Sequence, residues 1–450
     1  MTTSPNGRTQ SGAAFVPSSL DKHDSERRER YRRNLAFYNG EHWSGRTRGR
    51  ERRLTFNYAK AAVEKVTSYL MADIRSTVPP VDSSPEEQER ARQAERLLAD
   101  IAEVNSLDQL DFDSEIDTAV LGDGAYKITW DEGRGGVRIT TPDVQGLHCW
   151  WVGDDVNRIR RVASRYTLDV DEARELHGVR PPSRGRGRSD VTITEMWDDK
   201  TFQLWVGDTL MRDEANPYGL IPFVVYPNIR APKQFWGVSD IPAMVEPIRE
   251  LNRALSQLSM ILELSGNPIA VLENVDQSQD IAIQPGAVWE LPDRARAYLL
   301  DLLQGGGVQL HIDYVHAIYR TLHDLSETPR IAFGDNRQGL SGVALEMELH
   351  PLLHKLRRKR LIRAAAYRKR NEIALRIHEQ MTGEQLAPYR TSIEWGAVLP
   401  QDQSHIARQE IELVRNGLRS KRTAMARFGV PDPEAEMALI SSEQAEVDGG

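Results

Sequence analysis

Apolar residues recur at alternating steps of three and four between residues 241 and 262, the spacing that places side chains on one face of a helix. This first seam consists of Ile241, Met244, Ile248, Leu251, Leu255, Leu258 and Leu262. Because Pro242 and Pro247 delay or bend the start of the helix, we expect its straight part to begin near Pro247 and to end before Gly266. At 1.5 Å per residue the predicted rod is about 28 Å long.

The same spacing returns in a second seam, which ends at Thr328 and Pro329. Its members are His311, Val315, Ile318, Leu322 and Leu325. The chain between the two seams contains the short apolar runs IAVLE (269–273) and AVWEL (287–291), which predict a few short strands. Both seams are narrow, so we predict that they are completed by other copies of the chain. The residues predicted to pack between subunits are Ile248, Leu251, Leu255, Leu258, Leu262, Val315, Ile318 and Leu322.

Helical patterns also precede the first seam. The polar residues 1–22 predict a flexible arm, and residues 24–38, 58–70 and 84–104 predict helices. The third of these helices begins with a serine cap, a proline at the first helical position and a glutamate three residues after the cap. In the segment that follows Gly122, apolar and polar residues alternate as in β-strands instead.

Two pairs of alternating segments predict two hairpins of one small antiparallel sheet. They are AYKITW (125–130) with VRITT (137–141), and VTITEMW (191–197) with FQLWV (202–206). Between the hairpins, residues 180–190 are rich in arginine and glycine and predict an exposed loop. The fold class is therefore α+β and mainly helical.

The last quarter of the chain begins with FGDNRQGLSG (333–342), whose three glycines predict a mobile loop. A basic helix should follow from near Ser341, with a bend where Pro351 removes a backbone donor. The end of the chain predicts a short strand, TSIEW (391–395), and a helix over 407–417 that is capped by Gly417.

Composition limits the classes of function. With 450 residues and 40% hydrophobic content, the chain can form two or three folded modules. It has no apolar window long enough to span a membrane and no secretory signal. The single cysteine, Cys149, excludes an intrachain disulfide and is expected to be a small buried hydrophobe. The net charge of -8 excludes a protein that binds phosphate over its whole surface, so any DNA contact must be local.

No motif predicts catalysis, a cofactor or a metal. The glycines of 305–307 lack the following lysine and serine or threonine of a phosphate-binding loop. His350 and His354 share a helical face, but no glutamate follows His350 as in a zinc protease, and Pro351 lies between them. The carboxylates form no motif backed by a histidine or lysine, so we predict a protein that is not an enzyme.

The stretch from His350 to Arg370 contains nine basic residues and no acid. They are Lys355, Arg357, Arg358, Lys359, Arg360, Arg363, Arg368, Lys369 and Arg370. Two interpretations remain open: these cations pair with acids of a neighbouring subunit, for instance along 86–95, or they face DNA. We prefer the first, because an acidic protein supplies partners over much of its surface.

Several segments, taken in order, resemble the siphovirus-type portal proteins of tailed bacteriophages. The segments are LAFYNGEHW (35–43), LTFNYAKAAVEKVTSYLMAD (54–73), GDGAYKITWD (122–131), IPFVVYPNIR (221–230), WGVSDIPAMVEPIRELNRALSQ (236–257), TPRIAFGDNRQGLSGVALE (328–346) and GLRSKRTAMARFGVPDPEAEMALISSE (417–443). Each is weak by itself, but together they span nearly the whole chain in the order of the family.

The resemblance implies a homo-oligomeric ring, dodecameric in virions, at one vertex of the capsid. It also implies a division of the chain into an arm (1–22), a wing (23–237), a first stem helix (238–265), a clip (266–305), a second stem helix (306–329), a tunnel loop (330–342), a long bent helix (343–382) and a C-terminal wing or crown segment (383–450). The implied location is the portal vertex of the virion, reached from the host cytoplasm during assembly.

The implied partners are further copies of the chain, double-stranded DNA that passes without sequence readout, the terminase large subunit, a head-completion or adaptor protein, and the major capsid and scaffolding proteins. The candidates for facing DNA in the tunnel loop are Gly334, Asp335, Asn336, Arg337, Gln338 and Gly339. An acidic ring repels the duplex from its walls, whereas a strongly basic one would retard it through many phosphate contacts. Two alternatives are a nucleic-acid-binding protein that uses 350–370 without forming a ring, and a hydrolase with unrecognised carboxylates.

Overall fold

The computed structural model describes residues 16–22, 24–46, 52–178, 190–266, 270–273, 294–299, 307–335, 342–398, 403–430 and 433–448. The chain divides into two compact units, residues 1–394 and residues 395–450, and each is considered by itself. Residues 1–15 of the predicted arm (1–22), residues 180–189 of the arginine and glycine loop and the predicted strand 287–291 lie outside the described residues. The end of the predicted arm is not flexible: Pro17–Asp21 form a 3-10 turn, and Leu20 is buried against Ala163 and Met196.

The helices of the described residues agree with most of the helical predictions. They are α1 (Ser25–Tyr38), α2 (Tyr58–Leu70), α3 (Pro85–Val104), α4 (Leu107–Leu121), α5 (Val170–His177), α6 (Pro242–Gly266), α7 (Gly307–Ser326), α8 (Gly342–Thr382), α9 (Gln403–Arg415), α10 (Lys421–Arg427) and α11 (Pro433–Asp448). The two seams form α6 and α7, and the basic stretch lies within α8. Helix α6 starts at Pro242 rather than near Pro247, because proline is tolerated in the first helical turn.

Helix α4 was not predicted from the sequence, and its composition explains why. Its sequence, LDQLDFDSEIDTAVL, buries a row of polar side chains, so the apolar period expected of a surface helix is blurred. The buried polar residues are Asp111, Ser114, Glu115 and Thr118. A helix that buries acids requires cations on a neighbouring element, and α8 supplies them.

The strands of the described residues form more than the one small sheet that was predicted. They are β1 (Ile74–Thr77), β2 (Asp123–Asp131), β3 (Gly136–Thr140), β4 (Leu147–Val152), β5 (Asp155–Asp169), β6 (Asp190–Trp197), β7 (Thr201–Val206), β8 (Thr209–Ala215), β9 (Phe223–Pro227), β10 (Ile229–Arg230), β11 (Gly237–Val238), β12 (Ala270–Glu273), β13 (Arg296–Leu299) and β14 (Ser392–Trp395).

The two predicted hairpins belong to different sheets, so the prediction of one sheet is wrong. Strands β2 and β3 form a three-stranded sheet with β9, in the order β3-β2-β9. Strands β6 and β7 lie in a five-stranded antiparallel sheet of order β4-β5-β6-β7-β8. The missed strands β5 and β8 are rich in exposed charged residues, which hides the alternation of apolar and polar positions.

The main core joins the helices to the first sheet. Side chains of α1, α2, α4, α6 and α7 pack with β4, β5 and the three-stranded sheet around Cys149, Met244 and Leu251. Cys149 is buried, as predicted, and burial raises the pKa of its thiol. The start of α6 and the end of α7 are therefore part of the core of this unit, so these two helices are not rods that stand apart from it.

Helices α6 and α7 run antiparallel as a hairpin. Lys355 Nζ lies 3.6 Å from Asp240 Oδ1, just before α6, and 3.0 Å from the Ser326 carbonyl oxygen at the end of α7. Further along, the Tyr314 hydroxyl of α7 donates to Glu250 of α6 at 2.7 Å. The short antiparallel pair β12 and β13 belongs to the chain that connects the other ends of the two helices.

The second unit contains α9, α10 and α11. Glu410 of α9 is buried and accepts from Arg419 at 2.5 Å and from Arg427 at 2.8 Å. The predicted helix over 407–417 is confirmed, with Gly417 in the left-handed conformation just beyond its end. Helices α10 and α11 were not predicted.

Gly124 in β2 provides a test of the packing between the first sheet and α4. A Cβ atom at this position would lie 2.6 Å from Tyr226 Cζ and would also collide with the Thr118 hydroxyl. We expect Gly124→Ala to lower the free energy of unfolding by about 1–3 kcal/mol, the range for overpacked cores. Urea unfolding followed by tryptophan fluorescence measures this change.

Gly136→Ala in the adjacent strand β3 is the matched control, because nothing lies within 4 Å of its Cβ position. Its effect should be within about 0.5 kcal/mol of zero. Equal effects of the two substitutions would contradict the described contact between β2 and α4.

Candidate functional site

A buried cluster of charges connects α8 to the rest of the first unit. Four of the nine basic residues of the stretch 350–370 point into the protein, and the side chains of Lys359 and Arg363 are 0% exposed. The inward cations are Lys355, Lys359, Arg363 and Arg370, and we call them the anchor cations. Burying a cation is costly unless it is paired and hydrogen-bonded, so the partners of each decide whether the arrangement is stable.

Arg363 makes the most complete set of contacts. Its Nε donates to Glu115 Oε2 at 2.6 Å and its Nη2 to Glu115 Oε1 at 2.9 Å, which is the two-pronged geometry that favours arginine over lysine. Its Nη1 donates to the carbonyl oxygens of Pro227 and Asn228, at the end of β9. One side chain thus joins α8, α4 and the first sheet.

Lys359 lies one turn earlier and faces two acids. Its Nζ is 3.2 Å from Glu115 Oε1 and 2.8 Å from Asp240 Oδ2, and it donates to Asn228 Oδ1 at 2.8 Å. Burial by itself would raise the pKa of Asp240, but the charges of Lys355 and Lys359 outweigh it and hold this pKa well below its usual range. Asp240 is therefore ionised in the folded protein at neutral pH.

Lys355 holds together the two ends of the helical hairpin that lie in the core, namely the start of α6 and the end of α7, which we call its root. It reaches both Asp240 before α6 and the Ser326 carbonyl oxygen at the end of α7. On the surface nearby, Arg358 donates to both carboxylate oxygens of Glu327 at 2.6 and 2.7 Å. Helix α8 thus holds both ends of the hairpin where they enter the core.

Arg370 completes the cluster at a second acid of α4. Its Nη1 lies 2.5 Å from Asp111 Oδ1, which also accepts from the Tyr126 hydroxyl at 2.7 Å. The guanidinium carbon is 4.8 Å from the centre of the Tyr126 ring and 4.7 Å from that of Tyr367. Aromatic faces attract a desolvated cation, so these rings also stabilise the buried charge.

These contacts correct the sequence interpretation of the basic helix. Lys355, Lys359, Arg363 and Arg370 face neither a neighbouring subunit nor DNA, because their partners lie in the same chain. The sequence gave no indication of this, since the acids that receive them belong to the unpredicted helix α4 and to a single aspartate before α6. Arg358 pairs with Glu327 and Lys369 with Glu372 on the surface of the same chain, and Arg360 is half-buried. For the exposed Arg357 and Arg368 both interpretations remain predictions, as does any further contact of Arg358, Arg360 and Lys369.

The apolar seams of α6 and α7 are also satisfied in part within the chain. Four of the predicted subunit-packing residues are buried in the core of the first unit, which corrects the prediction for them: Ile248, Leu251, Ile318 and Leu322. Leu255, Leu258 and Val315 are half-buried. Leu262 of α6 is 53% exposed, and Leu310 of α7 is 71% exposed.

The glycine loop is described only at its start. Residues 330–333 form a single 3-10 turn, which ends at Gly334 with a φ of +90°. Asp335 pairs with Arg330 at 2.6 Å. The other DNA-facing candidates, Asn336, Arg337, Gln338 and Gly339, lie outside the described residues.

Two further features of the described residues bear on other classes of function. Within the described ranges, no group of three or more histidine, cysteine, aspartate or glutamate side chains is arranged to hold a metal ion. No helix in the described part of the chain is long and apolar enough to cross a membrane.

Comparison with protein families decides the identity. The family described as "Phage portal protein, SPP1 Gp6-like" matches residues 18–450. The chain belongs to this portal protein family. No curated protein matches the chain. Portal proteins are structural components of the phage, and the order of elements in this portal chain, with its helical hairpin and long helix α8, is consistent with that assignment.

Arg363 tests whether the anchor cations stabilise this portal chain from within. Arg363→Met removes both charge-assisted hydrogen bonds of its guanidinium to Glu115 and leaves this buried carboxylate with Lys359 as its remaining cation, so we expect the free energy of unfolding to fall by about 3 kcal/mol. Chemical denaturation of the purified protein measures the loss. Arg368→Met, at an exposed position of the same helix, should change stability by less than about 0.5 kcal/mol. Similar losses in both variants would show that Arg363 is not paired as described.

The lowered pKa of Asp240 predicts a pH dependence of stability. A carboxylate whose pKa is lower in the folded protein stabilises the fold above its unfolded pKa of about 3.9, and this stabilisation is lost as the pH falls further. Asp240→Asn should therefore lose about 3 kcal/mol at pH 7 and progressively less below pH 4. Urea titrations at pH 7 and pH 3 compare the two proteins. An equal difference at both pH values would contradict the assigned charge state.

Proposed function

We propose that the protein forms a homo-oligomeric ring at one capsid vertex, through which double-stranded DNA is packaged and later ejected. The ring is expected to be dodecameric in the virion. Membership of the portal family supports the proposal, and the helical hairpin is the observation that carries it. Lys355 holds the start of α6 through Asp240, whereas apolar side chains further along the hairpin are exposed in the single chain.

Exposed apolar side chains lie along the outer half of the hairpin. Met260 and Leu262 of α6 and Leu310 and Tyr314 of α7 are exposed, whereas Ile248, Leu251, Ile318 and Leu322, closer to the core, are buried, although Leu325 is 52% exposed. Exposed apolar side chains gathered on one element suit an interaction site in a soluble protein. In a ring each hairpin meets the hairpins of two neighbours, so these side chains are buried by assembly and the hairpins enclose a channel.

The charge of the chain suits a channel that lets DNA slide. Each subunit carries a net charge of -8, so a ring of identical copies is strongly acidic. The four anchor cations are neutralised by acids of their own subunit and contribute little to phosphate binding. Few cations then touch the backbone of the duplex, and the affinity that would retard movement stays low. Arg337 of each subunit remains our candidate for such a transient phosphate contact.

The same observation disfavours a DNA-binding protein that grips with 350–370. That alternative needs the basic residues of α8 on the surface, but four of the nine are buried and paired. The outward Arg357 and Arg368 suit acidic patches of a neighbouring subunit.

The strands β12 and β13 belong to the segment that we expect to contact the terminase large subunit and then the head-completion protein. The wing is expected to contact the capsid and scaffolding proteins.

Substitution of the exposed leucines tests ring formation. Leu262→Glu and Leu310→Glu place charges where we expect subunits to pack, and a buried unpaired carboxylate is costly. Native mass spectrometry and negative-stain imaging should therefore show large annular particles for the unmodified chain and mainly single subunits for the double variant. The melting temperature of the isolated subunit should change little, because both positions are exposed in it.

Leu176→Glu is the matched control, since Leu176 is also exposed but lies in α5, away from the hairpin. It should assemble as the unmodified chain does. A chain that stays a single subunit at every concentration would overturn the proposed function. Rings that form normally with both leucines replaced would refute the role of the hairpin.

A further inference from the structure

Two histidines converge on the exposed face of α8. His350 and His354 are four residues apart, and their Nε2 atoms are 3.2 Å from each other. Their ring planes are nearly perpendicular, with an angle of 88°. Both side chains are exposed to solvent, while the opposite face of the same helical turns is buried through Leu349, Leu352 and Leu356.

The separation of the two nitrogens is close to that of two ligands of one metal ion, and the rings, whose centroids are 4.3 Å apart, would turn outward for both lone pairs to point at it. Zinc binds imidazole nitrogen at about 2.0–2.1 Å in tetrahedral sites, which places two such ligands about 3.3 Å apart. We propose that His350 and His354 form a two-ligand site for a borderline divalent transition metal, such as Zn²⁺, Ni²⁺ or Cu²⁺, with water completing the coordination. Within the described residues no third protein ligand joins the pair, so the ion stays open to solvent.

Pro351 lies inside the turn that the two histidines span. Proline has no backbone N–H, so the bond that residue 351 would make to the carbonyl oxygen of Met347 is missing and the helix is weakened there. An ion held by residues four apart links consecutive turns of the helix directly after this missing bond. Metal binding therefore stiffens α8 between the glycine loop and the first anchor cation, Lys355.

Other described histidines are engaged differently. His42 contacts the carbonyl oxygen of Phe37 and the side chain of Asn252, and His323 contacts the carbonyl oxygen of Thr328. His177 contacts the hydroxyl of Tyr166.

A hydrogen bond between the imidazoles of His350 and His354 also accounts for their 3.2 Å separation. In that case a metal ion would have no specific effect on this turn.

The test uses the full chain without a histidine tag, after treatment with a chelator. Zinc chloride is added while isothermal titration calorimetry measures binding and hydrogen exchange measures protection of residues 347–358. We expect one site per chain and slower exchange in this segment. His350→Gln and His354→Gln should each lose the site and the protection. Because the chain contains eleven histidines, His316→Gln on α7 serves as the control and should retain both.

Pro351→Ala separates binding from stiffening. It restores the missing donor, so zinc should still bind at one site per chain but should slow exchange by less than in the unmodified protein. Absence of saturable binding in the unmodified chain, or binding that survives both histidine substitutions, would overturn the metal site. Equal protection by zinc with and without Pro351 would overturn the role in stiffening the turn. The test does not depend on ring formation.

Discussion

The structure of the first unit depends on the pairing of buried charges between α8 and α4. Arg363 and Lys359 are completely buried, and Glu115 meets both. Two unpaired charges in such an interior would be prohibitive, whereas the observed set of hydrogen bonds satisfies the guanidinium and the carboxylate together. The cluster also reaches Asn228 at the end of β9 and Asp240 before α6, so helix, sheet and hairpin are fixed in one place.

This pairing explains how one end of the α6–α7 hairpin can be fixed in the core while the other end exposes apolar side chains. Lys355 holds the start of α6 and the end of α7, and apolar contacts fill the space around Leu251 and Leu322. Further along, the hairpin loses this support and exposes Leu262 and Leu310. A surface that is apolar but firmly oriented loses little conformational entropy when copies assemble, which favours a closed ring over irregular aggregates.

Most of the helices could be predicted from the sequence, because their apolar residues follow the helical period and their ends carry recognisable caps. Ser84 accepts from the Glu87 N–H as the pattern indicated, and α2 and α8 begin and end close to the predicted residues. The strands β5 and β8 were missed because charged side chains interrupt their alternation.

The candidate site was harder to predict: a run of basic residues indicates charge, but it does not show which side of the helix each residue faces. The buried acids of α4, together with Asp240 before α6, determine that four cations point inward. The resemblance to portal proteins indicated the family but not this pairing.

The central claim is that α8 is anchored from within by its cations, and a double-mutant cycle on Glu115 and Arg363 tests it most directly. The free energy of unfolding is measured for Glu115→Gln, Arg363→Met and the combined variant by chemical denaturation. We predict that the combined variant loses less than the sum of the two single losses, with a coupling of about 2 kcal/mol, because each single change leaves the other side chain buried without the two hydrogen bonds that join them. Losses that simply add would contradict the account, since they would mean that the two side chains do not interact in the folded protein.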